Sequence, residues 1–178
     1  EVMNYIVPMV EPDLIHCNDW MTGLIPAMAR QMGIPCLFTL HNIHTVESSL
    51  AQIEDRGIDA AYFWQHLYYE NMASNYETTR DTNTVDFLTS GVFAAHFINT
   101  VSPNFLVEIV EGRHGFIEPH LRQEITNKYH AGCATGILNA PDPSFEPATD
   151  KDLKVCYGPR DHAEGKNENK RFLQGNLG

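Results

Sequence analysis

Two short apolar runs flank an amphipathic stretch near the start of the chain, and this arrangement restricts the possible fold more than any other feature. The runs are DLIHC (13–17) and PCLFTL (35–40), and both have the composition of buried strands. The stretch between them, WMTGLIPAMARQMG (20–33), has helical periodicity, with Asp19 as a candidate N-cap and Gly33 as a candidate stop. A strand, a helix and a second strand within about 25 residues predict a right-handed βαβ unit with parallel strands.

The same alternation continues to residue 138. Residues 46–95 show interrupted helical patterns, among them the aromatic, amphipathic stretch DAAYFWQHLYYENM (59–72). FINTV (97–101) and CATGIL (133–138) are the third and fourth candidate strands, with two amphipathic helices between them. Such alternation predicts an α/β fold with a doubly wound parallel sheet that helices cover on both faces.

Proline and serine residues indicate where two of these helices begin. Pro26 lies inside the first helical stretch, so that helix is expected to be kinked or to begin late. Ser102 and Pro103 occupy the N-cap and the first helical position of the helix after the third strand.

The pattern changes after residue 138. NAPDPSFEPATD (139–150) is rich in proline and has little apolar periodicity, which is typical of a connection along a surface. The final helical stretch has too little apolar surface to form a domain. We therefore predict a domain over 1–139 and, over 140–178, a surface connection followed by a helical stretch. Because the chain starts without Met and stops within a helical pattern, it is expected to be part of a longer protein.

Composition and charge narrow the possible partners and location. Hydrophobic residues make up 43% of the chain and charged residues 20%, as in ordinary folded domains. The formal net charge of −11 repels phosphate backbones and anionic lipids, so neither nucleic acid nor a membrane is expected as a partner. The four cysteines form no C-x-x-C pair, and buried free thiols in a reducing compartment are expected. With no apolar run near about 18 residues and no leader pattern, the expected location is cytoplasmic.

Polar residues follow all four candidate strands, where ligands bind in parallel α/β sheets. These strand-end residues are Asn18, Asp19, His41, Asn42, Ser102, Asn104 and Asn139. Together they are expected to line one edge of the sheet.

Several of these residues admit more than one role. Asp19 can cap the following helix, orient ligand hydroxyls or orient a catalytic partner. His41 and His44, with His16 on the neighbouring strand, suggest a zinc site. No third ligand is well placed, however. Hydrogen bonding to a sugar hydroxyl or a ligand phosphate fits the strand-end position of His41 better, and a purely structural role in the loop also stays open. Ser102 lacks the Gly-x-Ser-x-Gly elbow of hydrolases, and no glycine-rich phosphate loop is present.

Four segments, in this order, resemble the bacterial glycogen synthase and plant starch synthase family: PDLIHCNDWMTGLIPAMA, GIPCLFTLHNIHT, INTVSPNFLVEI and GILNAPDPSFEPATD. The resemblance covers essentially the whole chain. It implies a Rossmann-like sheet that is part of the N-terminal domain of a two-domain GT-B enzyme. That domain would include residues 1–139, and residues 140–178 would form the inter-domain connector and the start of the second domain. The resemblance further implies retaining transfer of glucose from ADP-glucose, or sometimes UDP-glucose, to the non-reducing end of an α-1,4-glucan, with no cofactor besides that nucleotide sugar.

By the same resemblance, the family's motif residues fall on positions of this chain that follow strands. Asp19 and His41 are the expected catalytic residues, with His41 contacting the transferred glucose. The expected substrate-binding residues are Asn42, Asn139 and Asn18. Asn18 is included because it lies at the end of a strand. No metal ligand is expected.

The chain also departs from the family pattern. Ala140 stands where glycine is usual, Phe105 replaces a tyrosine and Asn18 replaces a histidine, so nucleotide and acceptor preference stay open. The family's Lys-Thr-Gly-Gly loop would lie before Glu1 and its second domain after Gly178, so the chain alone is expected to be inactive. Two other functions stay open, namely a non-catalytic glucan-binding or regulatory module, and a metal-dependent hydrolase that uses His16, His41 and His44.

Overall fold

Four parallel strands form the central sheet, in the order β1 (Ile15–Asn18), β2 (Cys36–Leu40), β5 (Phe97–Thr100) and β6 (Ala134–Gly136). The computed structural model describes residues 1–177. A separate antiparallel pair, β3 (Glu47–Ser48) and β4 (Val85–Asp86), lies between the second and third strands of that sheet in sequence.

Within residues 1–177, eight α-helices precede, connect or follow these strands. They are α1 (Val7–Val10), α2 (Ile25–Gln31), α3 (Leu50–Glu54), α4 (Tyr76–Thr82), α5 (Phe87–Ala94), α6 (Pro103–Val110), α7 (Pro119–His130) and α8 (His162–Leu177). A π-helical turn over Val2–Ile6 precedes α1. Short 3-10 turns occur at Trp20–Thr22, Ala60–Tyr62, Trp64–His66 and Pro143–Phe145.

The strand order places the connecting helices α2, α5, α6 and α7 on one face of the sheet, whereas the sequence pattern predicts connecting helices on both faces. The four strands lie across the sheet in their chain order, so every crossover connection adds the next strand on the same side of the previous one. Because such connections are right-handed, their helices lie on the same face. The main core lies between these helices and the sheet, where Cys17, Phe38 and Ile98 are almost fully buried. The helix α5 approaches the sheet closely, because a side chain at Gly91 would overlap the Phe38 ring.

The predicted strands and helix starts are confirmed with small shifts in length. The first long helix begins late, at Ile25, with Pro26 in its first turn, and Gly33 follows it with φ of 71°. Ser102 caps α6 by accepting a hydrogen bond from the Phe105 N–H at 3.2 Å. The fourth strand ends at Gly136, two residues earlier than predicted.

The aromatic stretch at 59–72 is not the continuous helix that its pattern indicates. It forms two 3-10 turns and then an extended segment, because long-range pairing takes over its backbone. Tyr69 forms a bridge with Val85, and the Glu70 N–H donates to the Thr84 carbonyl at 3.0 Å. Three of its aromatic side chains instead contribute to a second core cluster, namely Phe63, which is nearly fully buried, and the partly buried Trp64 and Tyr69.

The cysteines are free thiols, and two of the four are buried. Cys17 and Cys36 have Sγ atoms 3.5 Å apart on adjacent strands. The hydrogen bond with Cys17 and burial raise the pKa of Cys36, so this thiol stays protonated at neutral pH. Cys133 is half-buried and Cys156 is exposed, so the expectation of burial is wrong for Cys156.

The chain divides into two compact units, Glu1–Leu138 and Asn139–Gly178. In the second unit, α8 packs closely on Tyr157, because a side chain at Gly165 would overlap the Tyr157 ring. The Asn169 side chain bonds both the N–H and the carbonyl of Val155, at 3.1 and 2.7 Å. Within residues 1–177, no helix is both long and apolar enough to cross a membrane.

Candidate functional site

Asp19 directly follows β1 and has a backbone conformation that residues with a side chain rarely adopt. Its φ is 54° and its ψ is −179°, a region essentially restricted to glycine that costs about 1–3 kcal/mol. The residue still extends the sheet, because its N–H donates to the Thr39 carbonyl at 3.0 Å. Within the described chain its carboxylate makes no capping bond to the following turn, so the predicted capping role is wrong.

The Asp19 carboxylate instead holds the loop that follows β2. Its Oδ1 accepts the His41 N–H at 2.8 Å and the Asn42 N–H at 3.4 Å. Its Oδ2 accepts the Asn42 side-chain amide at 3.4 Å. The 2.8 Å bond is the strong one, since it is short and one partner is charged. Asp19 is only 7% exposed, so the ends of β1 and β2 are joined by a buried carboxylate.

His41 projects from this loop beside Asn18, and both side chains are exposed. The His41 Nε2 lies 3.0 Å from the Asn18 Oδ1, which accepts the hydrogen bond. A neutral imidazole with its proton on Nε2 has an unprotonated Nδ1, which can accept a hydrogen bond from a ligand. The pair therefore presents an acceptor at the edge of the sheet where strand-end ligands bind.

The Asn42 side chain is used within the loop itself. Its Oδ1 accepts the His44 N–H at 2.9 Å, in an Asx turn, while its amide faces Asp19. His44 is exposed and enters this network through its backbone. In this arrangement both residues shape the loop that presents His41.

Thr22 and Gly23 support the site, although the sequence reasoning did not single them out. The Thr22 hydroxyl accepts the Asn18 N–H at 2.8 Å and lies 2.8 Å from the Asn18 carbonyl oxygen. Gly23 allows close approach to α5, because a Cβ there would overlap the Phe87 carbonyl oxygen. A threonine three residues after a strand-end aspartate was the available signal, since hydroxyls commonly bond nearby backbone.

His16 lies on β1 and is engaged away from the His41 loop. Its Nε2 is 2.7 Å from the Thr39 hydroxyl, which itself donates to the Asn99 Oδ1 at 2.6 Å. This row crosses β1, β2 and β5 and engages the Nε2 of His16 away from the loop. Among residues 1–177 no three His, Cys, Asp or Glu side chains are grouped to hold a metal ion. The structure therefore does not favour a hydrolase that uses His16, His41 and His44.

The remaining strand-end residues have simpler surroundings. Ser102 is occupied as the N-cap of α6, as its capping pattern predicts, and Asn104 is exposed in the first turn of that helix. Asn139 is exposed and is the first residue of the second unit, and its substrate-binding role stays a prediction. Trp20 is half-buried and packs against the main core.

The cluster at the ends of β1 and β2 consists of Asn18, Asp19, Thr22, His41 and Asn42, and it contains no lysine or arginine. Its one carboxylate is buried and bonded to backbone N–H groups. The exposed groups are an imidazole and an amide, which suit neutral hydroxyl groups better than a diphosphate. The arrangement can orient a polyhydroxylated ligand, and it offers no positive charge of its own.

Comparisons with known proteins identify the family of the chain. The family model for the starch synthase catalytic domain matches residues 1–124. The glycogen synthase of Exiguobacterium sibiricum is 33% identical over 177 residues, covering 94% of this chain and 34% of that protein. The glycogen synthase of Acholeplasma laidlawii is 33% identical over 171 residues, covering 94% of this chain and 33% of that protein.

A solved structure shares the fold. The catalytic domain of starch synthase IV from Arabidopsis thaliana, bound to ADP and acarbose, superposes with a TM-score of 0.67 at 26% identity. The match covers 97% of this chain and 35% of that chain. This chain thus spans about a third of the length of the curated relatives it matches. The predicted α/β fold of GT-B type is confirmed, and the chain belongs to the starch synthase catalytic domain family.

Proposed function

We propose that the chain forms the sugar-facing edge of a retaining glucosyltransferase of the glycogen and starch synthase type. The parent enzyme would transfer glucose from ADP-glucose, or from UDP-glucose, to the non-reducing end of an α-1,4-glucan. The observation that carries this proposal is the bond from the buried Asp19 carboxylate to the His41 backbone, in a chain of this family. The named ligands of the Arabidopsis structure, ADP and acarbose, support a nucleotide sugar and a glucan as partners.

His41 is the residue that we expect to contact the transferred glucose. Its exposed imidazole has Nε2 on Asn18 and an Nδ1 that can accept a hydrogen bond from a sugar hydroxyl. Hydroxyl contacts of this kind accelerate the reaction when they position the sugar for attack or strengthen in the transition state. Asn18 is expected to orient the ring and to contribute its own amide to the sugar.

Asp19 acts in this proposal as a positioning residue. Both carboxylate oxygens face the loop of residues 41 and 42, so they hold that loop and are not presented to a ligand. The rigid, buried link from β1 to β2 would keep His41 within the narrow range of positions that efficient transfer requires.

Stabilisation of the departing diphosphate needs positive charge, which this cluster does not contain. The curated relatives are about three times as long as the chain. We therefore assign the diphosphate-binding cations to a second GT-B domain outside these 178 residues, and expect the 178-residue chain to transfer no glucose alone. Asn139 and the connector that it begins would lead toward that domain.

The test is glucose incorporation into glycogen from ADP-glucose by a polypeptide extended to the length of its relatives. We expect His41→Ala to lower kcat by about 100-fold or more, the usual cost of losing one transition-state hydrogen bond. His44→Ala is the matched control, because this exposed histidine lies in the same loop and bonds only through its backbone. Thermal melting of both variants would show whether the fold is intact.

Three outcomes would count against parts of the proposal. An unchanged kcat in His41→Ala would remove the assigned role of His41. Glucan binding without any turnover in the extended wild-type protein would identify a non-catalytic module. Transfer by the 178-residue chain above its own His41→Ala background would show that the second domain is not required.

A further inference from the structure

Three cationic or titratable side chains converge on one short segment at the other end of the sheet. The Arg30 Nε donates to the Ala94 carbonyl, and the Lys128 Nζ donates to the adjacent Ala95 carbonyl. His96 is the next residue, and its Nδ1 accepts the Cys36 N–H at 3.1 Å. The three groups come from α2, α7 and the turn before β5, and consecutive Cα atoms are only about 3.8 Å apart. The two cations therefore contact consecutive carbonyls of the segment that carries His96.

Neither cation has a carboxylate partner. Every ion pair found within residues 1–177 lies elsewhere, and none includes Arg30, His96 or Lys128. Glu124, one helical turn before Lys128 on α7, is near it without bonding it. Such a cluster is unexpected in a chain with a net charge of −11 and 23 acidic side chains available to neutralise it.

The carbonyl contacts leave most of the hydrogen-bond donors free. Arg30 uses only Nε, so both of its terminal nitrogens remain, and Lys128 keeps two of its three N–H groups. Because the Cys36 N–H donates to Nδ1 of His96, the neutral ring carries its proton on Nε2, which is also free to donate. Arg30 and His96 are exposed and Lys128 is half-buried, so a ligand could reach all three.

The pKa directions agree with mutual repulsion in a partly desolvated cluster. Burial lowers the pKa of Lys128, and the charge of Arg30 lowers it further. Burial also lowers the pKa of His96, followed by the charges of Arg30 and Lys128. The negative charge of a bound anion would oppose the repulsion and would raise the pKa values of both Lys128 and His96.

We propose that Arg30, His96 and Lys128 form a binding site for a phosphoryl group. A planar guanidinium, an ammonium and an imidazole N–H match the several acceptor oxygens of a phosphate. The site lies at the amino ends of the strands, whereas Asp19 and His41 lie at the carboxyl ends, so it is separate from the sugar-facing edge. Its ligand is either free phosphate or a small phosphorylated metabolite.

The alternative explanation is that Arg30 and Lys128 serve only to cap the C-terminus of α5. That helix ends at Ala94, and lysine and arginine often satisfy the last helical carbonyls. Capping alone predicts stabilisation of the fold without any saturable affinity for phosphate. Phosphate binding and capping can therefore be separated by experiment.

The test is calorimetric titration of the 178-residue chain with inorganic phosphate and, separately, with a hexose monophosphate, at constant ionic strength in chloride. His96→Asn keeps an acceptor for the Cys36 N–H and removes the Nε2 donor. Arg30→Met removes the guanidinium. Both are expected to weaken binding by 10-fold or more, whereas Lys166→Met, on α8, is expected to leave it unchanged. Melting temperatures in phosphate-free buffer would confirm that each variant is folded.

Saturable binding that both site variants weaken supports the proposal. Tighter binding of the hexose monophosphate than of inorganic phosphate would then identify a metabolite as the ligand, and equal affinities would identify free phosphate. Absence of saturable binding by the folded wild-type chain, or equal binding by wild type and folded His96→Asn and Arg30→Met, would overturn the proposal. The cations would then serve only as helix caps.

Discussion

The Oδ1 of Asp19 accepts the backbone N–H of His41 at 2.8 Å, across the ends of two parallel strands. This bond connects a buried carboxylate to a residue whose imidazole is exposed. It explains how a loop can hold an exposed histidine in one place, since the restraint comes from the neighbouring strand. In the proposed function the same relationship separates two roles, with His41 presented to a ligand and Asp19 positioning it.

Asp19→Asn is expected to lower kcat of the extended enzyme while the fold is retained. Asparagine keeps one oxygen but replaces the other with an N–H₂ group, which would face the Asn42 amide, a donor. The loop should loosen, with a stability loss of about 1–3 kcal/mol. Steady-state kinetics and urea denaturation would measure the two effects, with exposed Asp13→Asn as the control. A loss of stability with unchanged kcat would contradict the positioning role.

The backbone of Asp19 gives a second prediction, which concerns strain alone. At φ of 54° and ψ of −179°, glycine is relaxed and alanine is not. Both Asp19→Gly and Asp19→Ala lose the carboxylate, so the difference between them isolates the backbone. We expect Asp19→Gly to be more stable than Asp19→Ala by about 1–3 kcal/mol, measured by urea denaturation. Equal stabilities would show that this residue relaxes to another conformation.

The sequence was sufficient to predict the four sheet strands, and with them the edge at which the candidate site residues meet. Short apolar runs in βαβ spacing have few alternatives, and ligand sites in such sheets follow from topology. It was not sufficient for residues 59–72, where a helical pattern yielded to pairing with β4. Sequence periodicity shows which side chains are apolar, but it does not show whether the backbone forms a helix. Here pairing with the strand β4 prevents a continuous helix.

The role of Asp19 illustrates the same limit within the site. A polar residue between a strand and a helical stretch usually caps the helix, and local sequence cannot show that a loop 22 residues later competes for its carboxylate. The positive φ of a residue other than glycine gives no sequence signal either. The departure from the capping rule occurs at the residue that positions His41, as expected when local preferences are overridden at a functional site.

The hydrogen-bonded row from His16 through Thr39 to Asn99 predicts a stability loss for Thr39→Val. Valine matches the shape of threonine but leaves the Asn99 Oδ1 without its donor, and Thr39 and Asn99 are 4% and 7% exposed. An unpaired buried acceptor costs about 1–3 kcal/mol, measurable by urea denaturation. Thr39→Ser keeps the hydroxyl and should lose less than Thr39→Val. The reverse order would mean that the methyl group matters more than the row.

His96 predicts a pH dependence of stability whose sign follows from its lowered pKa. Burial, Arg30 and Lys128 make protonation harder in the folded chain than in the unfolded chain, where the pKa is about 6.5. Below that pH the unfolded state binds more protons, so the stability contribution of neutral His96 is complete above pH 6.5 and is lost as the pH falls. In phosphate-free buffer, the melting temperature of the wild type should therefore fall more than that of His96→Asn between pH 7.5 and pH 5.5. Lys128→Met should reduce this pH dependence, because it removes one of the charges that oppose protonation of His96. If the melting temperatures of wild type and His96→Asn depended on pH in the same way, His96 would not be the group responsible.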